Sequence, residues 1–306
     1  MWFKQIQLFH LSDTIRYQPE TLTQKLEPFA FISCLPSFAN SAGWVSPFEE
    51  EDAPLIHALN GNILFCLQIE DKILPATVIR QALNEKVKEL EAMYDRKIRQ
   101  KEKLSLKDEI TMTLLPRAFS QLTRLYAYID TKNNWLVLNT TQTKKTEQFL
   151  NLFKKSVTEA IQPIETKKIG IELTDWLKNQ NYPSIFSVEN NCMLQDPNKQ
   201  NRVIRCQNQD LFAPSIQALI KDGCEVKQLA IDWQDRVQFT LAEDFSLRSI
   251  KYEDDILHQV KDMDVETKQQ QFDADFFIMT EVLSSLLKDL YLQFGKENIE
   301  QEYQVA

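Results

Sequence analysis

The sequence predicts an α+β fold, and three observations lead there. Strand-type and helix-type segments are segregated along the chain more than they alternate, which disfavours a doubly wound parallel sheet. Hydrophobic residues are 43% and charged residues 26% of 306, enough for a sizeable core and, by length, for about two domains. Gly is scarce, at five residues spread far apart, where average usage of about 7% would give roughly twenty. A Gly-rich phosphate cradle is therefore absent, and the commonest nucleotide-binding folds are excluded with it.

The elements follow in order. Residues 2–11 (WFKQIQLFHL) and 62–70 (NILFCLQIE) are rich in β-branched and aromatic types and predict strands. Between them a helix is expected over 19–31, then an irregular stretch with Pro36, Gly43, Pro47 and Pro54. From Ala76 the pattern changes: Ile79, Leu83, Val87, Leu90, Tyr94 and Ile98 form an apolar helical stripe. At about 1.5 Å per residue, a helix over 77–103 would be a rod of roughly 40 Å. Ser105-Leu106-Lys107-Asp108 reads as a capping box opening a second helix, stopped before Pro116. A long helical hairpin is expected. Strands at 124–131 and 134–140 form a hairpin by spacing, and Phe149, Phe153, Val157 and Ile161 place a helix after them. A soft boundary falls near 165–170. Beyond it lie a mixed stretch with an Asn/Gln-rich patch at 189–209, a meander at 227–233, 236–241 and 247–252, and a final amphipathic helix over 274–294. That helix carries Leu283, Leu286, Leu287 and Leu290, more apolar surface than one domain is expected to cover, which predicts a dimer.

The net charge is −9, but it is unevenly distributed. Residues 222–306 hold 19 acidic and 8 basic residues, whereas 80–107 hold nine basic and five acidic. An acidic protein with a basic segment can still meet a polyanion. Arg96, Arg99 and Lys103 fall on one face of the expected rod, with Lys97 and Lys101 beside them. Such a row can neutralise successive phosphates; it can equally be a solvated face laced with Glu–Lys pairs. Leu115-Pro116-Arg117-Ala118-Phe119 sets a fixed cation and an aromatic ring two residues apart at a turn. Together they can hold a phosphate and press a wedge against a groove, or Phe119 can lie in the core.

Catalytic patterns are sparse. His10, His57 and His258 are isolated and none of the five Cys forms C-x-x-C, so a zinc site is not expected and reduced thiols are. Asp273 and Asp275, with Asp130 or Asp232, could serve a metal-dependent nuclease; the plainer reading is that the first two cap the final helix. No run reaches the roughly 18 apolar residues of a membrane span and the start lacks a secretory pattern, so a cytoplasmic protein is expected, with no cofactor.

Several segments carry a resemblance. Met1-Trp2-Phe3-Lys4, Gly43-Trp44-Val45, Lys72-Ile73-Leu74-Pro75, Ser105-Leu106-Lys107-Asp108-Glu109 and Leu114-Leu115-Pro116-Arg117-Ala118-Phe119-Ser120 are similar to the bacterial recombination-associated RdgC family. So are Ile171-Glu172-Leu173-Thr174 with Trp176, Leu229-Ala230-Ile231-Asp232-Trp233 and Phe272-Asp273-Ala274-Asp275-Phe276. The matches run in order over nearly the whole chain. The resemblance implies a horseshoe-shaped α+β protomer with antiparallel sheets and a projecting helical finger. Two protomers would close into a ring around duplex DNA, bound without sequence preference. It also implies a non-enzymatic, nucleoid-associated protein that restrains RecA-driven strand exchange and acts in replication-fork repair.

On this reading residues 1–75 and 117–168 form a central α+β domain, 76–116 the finger, and 169–306 a second α+β domain at the base. Arg117 and Phe119 match the family's finger-loop DNA residues, and Gln209 matches a polar contact on the opposite side. Where the family pattern has a Lys-Lys pair before that Gln, this chain has Gln207-Asn208. Two positive charges are missing there. Two other classes stay open beside this one: the nuclease, and a module whose finger binds a partner helix.

Overall fold

The computed structural model describes residues 1–12, 17–48, 53–158, 160–198, 202–261 and 267–296. Residues 49–52 of the expected irregular stretch and 199–201 of the Asn/Gln-rich patch lie outside them. In chain order the elements are β1 (Gln7–Leu11), α1 (Pro19–Leu26), β2 (Asn40–Val45), β3 (Ile56–Leu59), β4 (Asn62–Ile73), α2 (Ala76–Tyr94), α3 (Gln100–Leu114), β5 (Phe119–Asp130), β6 (Trp135–Leu138), α4 (Thr143–Val157) and β7 (Ile161–Pro163). Then follow α5 (Ile169–Asn179), β8 (Phe186–Gln195), β9 (Val203–Cys206), α6 (Pro214–Lys221), β10 (Glu225–Trp233), β11 (Val237–Ala242), β12 (Leu247–Tyr252), α7 (Asp254–Lys261) and α8 (Lys268–Phe294). The pairings with a defined register are all antiparallel, so the α+β class holds.

The chain divides into two compact units. The first comprises Met1–Pro19, His57–Leu64 and Ala127–Ala306. In it β6 pairs with β1 and β1 with β7, and a second sheet runs β12-β11-β10-β8-β9. Helix α8 is its spine. Leu283, Leu286, Leu287, Leu290, Phe276 and Phe294 are all fully buried there. Trp233 Nε1 donates to Asp289 at 2.9 Å, Asn60 Nδ2 to Glu281 at 2.9 Å, and Trp176 packs on Phe294 at 5.4 Å between ring centroids. The leucine stripe expected at a dimer surface is thus spent inside its own unit. Both faces of the helix meet sheet residues, and the sequence showed only that the stripe was apolar.

The second unit comprises Glu20–Ile56 and Phe65–Tyr126. Its strands are ordered β2-β4-β5, Trp44 packs edge-on against Phe65 at 5.5 Å, and Leu22, Leu26 and Leu67 are buried in the same unit. Gly43 is required by close approach: a Cβ there would sit 2.3 Å from Phe31 Cα, where the chain crosses to give its N–H to Trp44 O at 2.9 Å.

Three expectations are corrected. The 77–103 rod is broken, because Asp95 adopts a left-handed conformation (φ 48°) that ends α2 at Tyr94. Asp tolerates this backbone better than most residues. The two helices are therefore about 28 and 22 Å long, with the turn at 95–99 and not at Ser105. The capping box at Ser105 lies inside α3. Ile98 keeps the helical spacing of the apolar stripe but is buried at the turn, outside both helices. Finally, β2 and β3 occupy parts of what was expected to be irregular chain.

Candidate nucleic-acid interface

The helical hairpin and the start of β5 form an open part of the second unit. No residue of α2 or α3 is buried; the half-buried residues include Ile79, Leu83, Val87 and Leu90 on α2 and Leu106, Ile110 and Leu114 on α3. Helices without buried residues in a stable protein expose much of their surface to solvent or to a partner. After α3, a single 3-10 turn over Leu115–Arg117 changes the chain's direction. Pro116 cannot continue the helical bonding, buried Leu115 anchors the turn, and Ala118 N–H closes it on Leu115 O at 3.1 Å.

Arg117 and Phe119 leave this turn in opposite chemical roles. Arg117 is exposed and makes no ion pair among the described residues. Phe119 is 84% exposed, so it is not the core residue that the sequence allowed. A strand with one buried face should hide alternate residues, yet Phe119, Ser120, Gln121 and Leu122 are all exposed. Met112, at 71%, adds to the apolar surface exposed nearby in sequence. The strand end is held in place from behind. The Ser120 hydroxyl and the Cys34 N–H (2.7 Å) both donate to Glu70, and these bonds hold its carboxyl below the usual range.

The basic row is rearranged. Arg96 and Lys97 lie in the turn and Arg99 precedes α3, so they do not share a helix face with Lys103. Arg96 makes a two-pronged bridge to Glu102, at 2.7 and 3.0 Å. Glu102 also accepts the Arg99 N–H at 2.8 Å, and these bonds, the Arg96 pair first, bring its carboxyl down to about 2. Ile98 N–H donates to Glu91 at 3.0 Å. The turn is therefore tied down by its acidic residues, and Arg96 is already neutralised. Lys97, Arg99 and Lys101 are exposed, Lys103 half-buried, and none of the four makes an ion pair among the described residues.

Gln209 belongs to the first unit. It is exposed in the loop after β9, where its N–H donates to Asn190 O at 3.1 Å and Asn208 N–H to Asn191 Oδ1 at 3.0 Å. Two strand-to-loop bonds fix this loop, but its side chains bring polar amides and no cation.

The four acidic candidates each have structural employment. Asp130 accepts the N–H groups of Lys132 and Asn133 (3.0 and 3.1 Å) and the Ser284 hydroxyl, closing the β5–β6 hairpin. Asp232 accepts Asp235 N–H at 2.7 Å, and burial raises its pKa. Asp275 takes the N-terminal ammonium at 2.6 Å and Trp2 Nε1 at 3.1 Å. Asp273 lies 3.1 Å from His57 Nε2. Neither caps α8, which starts earlier, at a capping box of Thr267 and Gln270. Among the described residues no three His, Cys, Asp or Glu side chains form a group able to hold a metal ion, so the nuclease reading finds no centre in these carboxylates. The Cys66 thiol is pushed up to about 12 by burial. No described helix is long and apolar enough to cross a membrane.

Comparison with known proteins adds the following. A family model described as "Putative exonuclease, RdgC" matches residues 1–297. The chain is 37% identical over 299 residues to the recombination-associated protein RdgC of Yersinia enterocolitica, covering 97% of this chain and 99% of that one. It is 36% identical, with the same coverage, to the proteins of that name from Yersinia pestis and Yersinia pseudotuberculosis.

Proposed function

The chain belongs to the RdgC family, and from that premise we propose that it binds duplex DNA without sequence preference, as a ring-shaped homodimer in the nucleoid. The observation that carries this reading is the exposed, unpaired Arg117 beside a Phe119 that is 84% exposed. A phenylalanine held on the surface by a pinned strand end needs a partner, and a free guanidinium two residues away selects an anionic one. The hairpin acts as the finger. Lys97, Arg99, Lys101 and Lys103 supply attraction to the backbone, Arg117 forks onto phosphate oxygens, and Phe119 excludes water or presses against the groove wall. Arg96, held by Glu102, contributes little. Gln209 offers a hydrogen bond to the backbone, without the charge that a basic pair before it would add.

Backbone contacts carry no base information, so the protein coats DNA wherever it lies. Coating restricts the access of a recombinase such as RecA, and the family's recombination-associated name agrees with that role. No catalytic step belongs to this reading.

Electrophoretic shifts on duplexes of unrelated sequence test it. Affinities within a few-fold of one another are expected. A strong preference for one sequence, or no shift at low salt, would overturn the proposal.

A further inference from the structure

Cys192 on β8 and Cys206 on β9 stand directly opposite each other in the antiparallel register. Opposed residues in such a ladder have Cα atoms roughly 4.5–5.5 Å apart, inside the window a disulfide needs. Both residues are buried, at 6% and 7% exposure, and both thiols are free. They also line one open cavity of about 320 Å³, with Asn191, Arg205 and Gln207 at its wall. Two opposed thiols on a cavity that admits small molecules form a dithiol site.

We propose that Cys192 and Cys206 are a modification site for hydrogen peroxide, which converts them to a cross-strand disulfide. One thiolate attacks the peroxide: an S–O bond forms, the O–O bond breaks, and water leaves. The second sulfur then attacks the sulfenic acid, forming the S–S bond and releasing a second water. The peroxide supplies both oxidising equivalents, and the two thiol protons end in the two waters. The second step spares the first sulfur from irreversible oxidation. The bond would staple β9, the edge strand of its sheet, to β8. Burial and the neighbouring Cys206 push the Cys192 thiol up to about 12. Because the thiolate is the reactive form, the reaction should be slow at pH 7 and accelerate about tenfold per pH unit.

The test is peroxide treatment of the whole protein at pH 8.5, followed by alkylation, digestion and mass spectrometry. A Cys192–Cys206 cross-linked peptide, two hydrogens lighter and reversed by dithiothreitol, is expected. In Cys206→Ser the cross-link should vanish and dimedone should trap a sulfenic acid at Cys192. Recovery of both cysteines as alkylated thiols, after a dose that fully oxidises the half-exposed Cys34, would overturn the proposal. So would a sulfinic acid at either position without the cross-link.

Discussion

Phe276→Ala is expected to destabilise the protein by about 3–5 kcal/mol, while Phe119→Ala leaves stability within about 0.5 kcal/mol. The two residues are the same amino acid in opposite surroundings. Phe276 is fully buried on α8, with the Tyr128 ring at 6.1 Å and the His57 ring at 5.7 Å. Removing it opens a cavity between the spine helix and the strands it supports. Phe119 is exposed at the end of β5, and its loss leaves no hole. Thermal melting separates them: a drop of roughly 10 °C for Phe276→Ala, and almost none for Phe119→Ala. The exposed residue should then show its importance elsewhere, as weaker duplex binding by a protein that melts normally. An early-melting Phe119→Ala protein with intact DNA binding would make Phe119 a packing residue and remove it from the interface.

Raising the salt from 50 to 200 mM is expected to weaken duplex binding about a thousandfold. The cations in the proposed contact without ion pairs are Arg117, Lys97, Arg99, Lys101 and Lys103. With about three of them on each protomer reaching phosphates, the ring neutralises about six, and log K then falls against log[salt] with a slope near −5. A fourfold rise in salt at that slope gives the thousandfold loss. The protein's net charge of −9 does not cancel this, since residues 80–107 themselves hold nine basic and five acidic residues and nearby charges dominate in salt. Filter binding on one duplex across a salt series reads the effect. A decline of less than tenfold over that range would mean that the basic residues of the hairpin do not engage the backbone.

Much of the fold could be read from the chain because its periodicities are strong. The β10–β11–β12 meander and the β5–β6 hairpin follow from period-two patterns, and α4 and α8 from apolar stripes. The failures have definite physical causes. The break at Asp95 is a single left-handed residue within a stripe that keeps its helical spacing, so periodicity could not reveal it. The β3–β4 hairpin did leave a signal: Asn60 and Gly61 both have positive φ (49° and 79°), and Asn-Gly is the pair most suited to such a turn. Strand β2 could not be read because Gly43 is there for close approach to Phe31, and Gly ordinarily counts against a strand. At the candidate site, the sequence presented Arg117 and Phe119 together but left Phe119 open between core and surface. The neutralisation of Arg96 was hidden, since Glu102 reaches it only after the chain turns at 95–99. The employment of Asp273 and Asp275 was equally hidden: their partners, His57 and the amino terminus, lie more than 200 residues away in sequence.

The most direct measurement is the salt dependence of duplex binding for Arg117→Ala beside that of the unaltered protein. Arg117 has no ion pair to lose, so truncating it removes one phosphate contact from each protomer of the ring and little else. The salt slope should become shallower by about two units, from near −5 to near −3, with weaker binding at low salt and an unchanged melting temperature. An unchanged slope with unchanged affinity would show that the turn after the helical hairpin does not touch the DNA backbone, and would contradict the account.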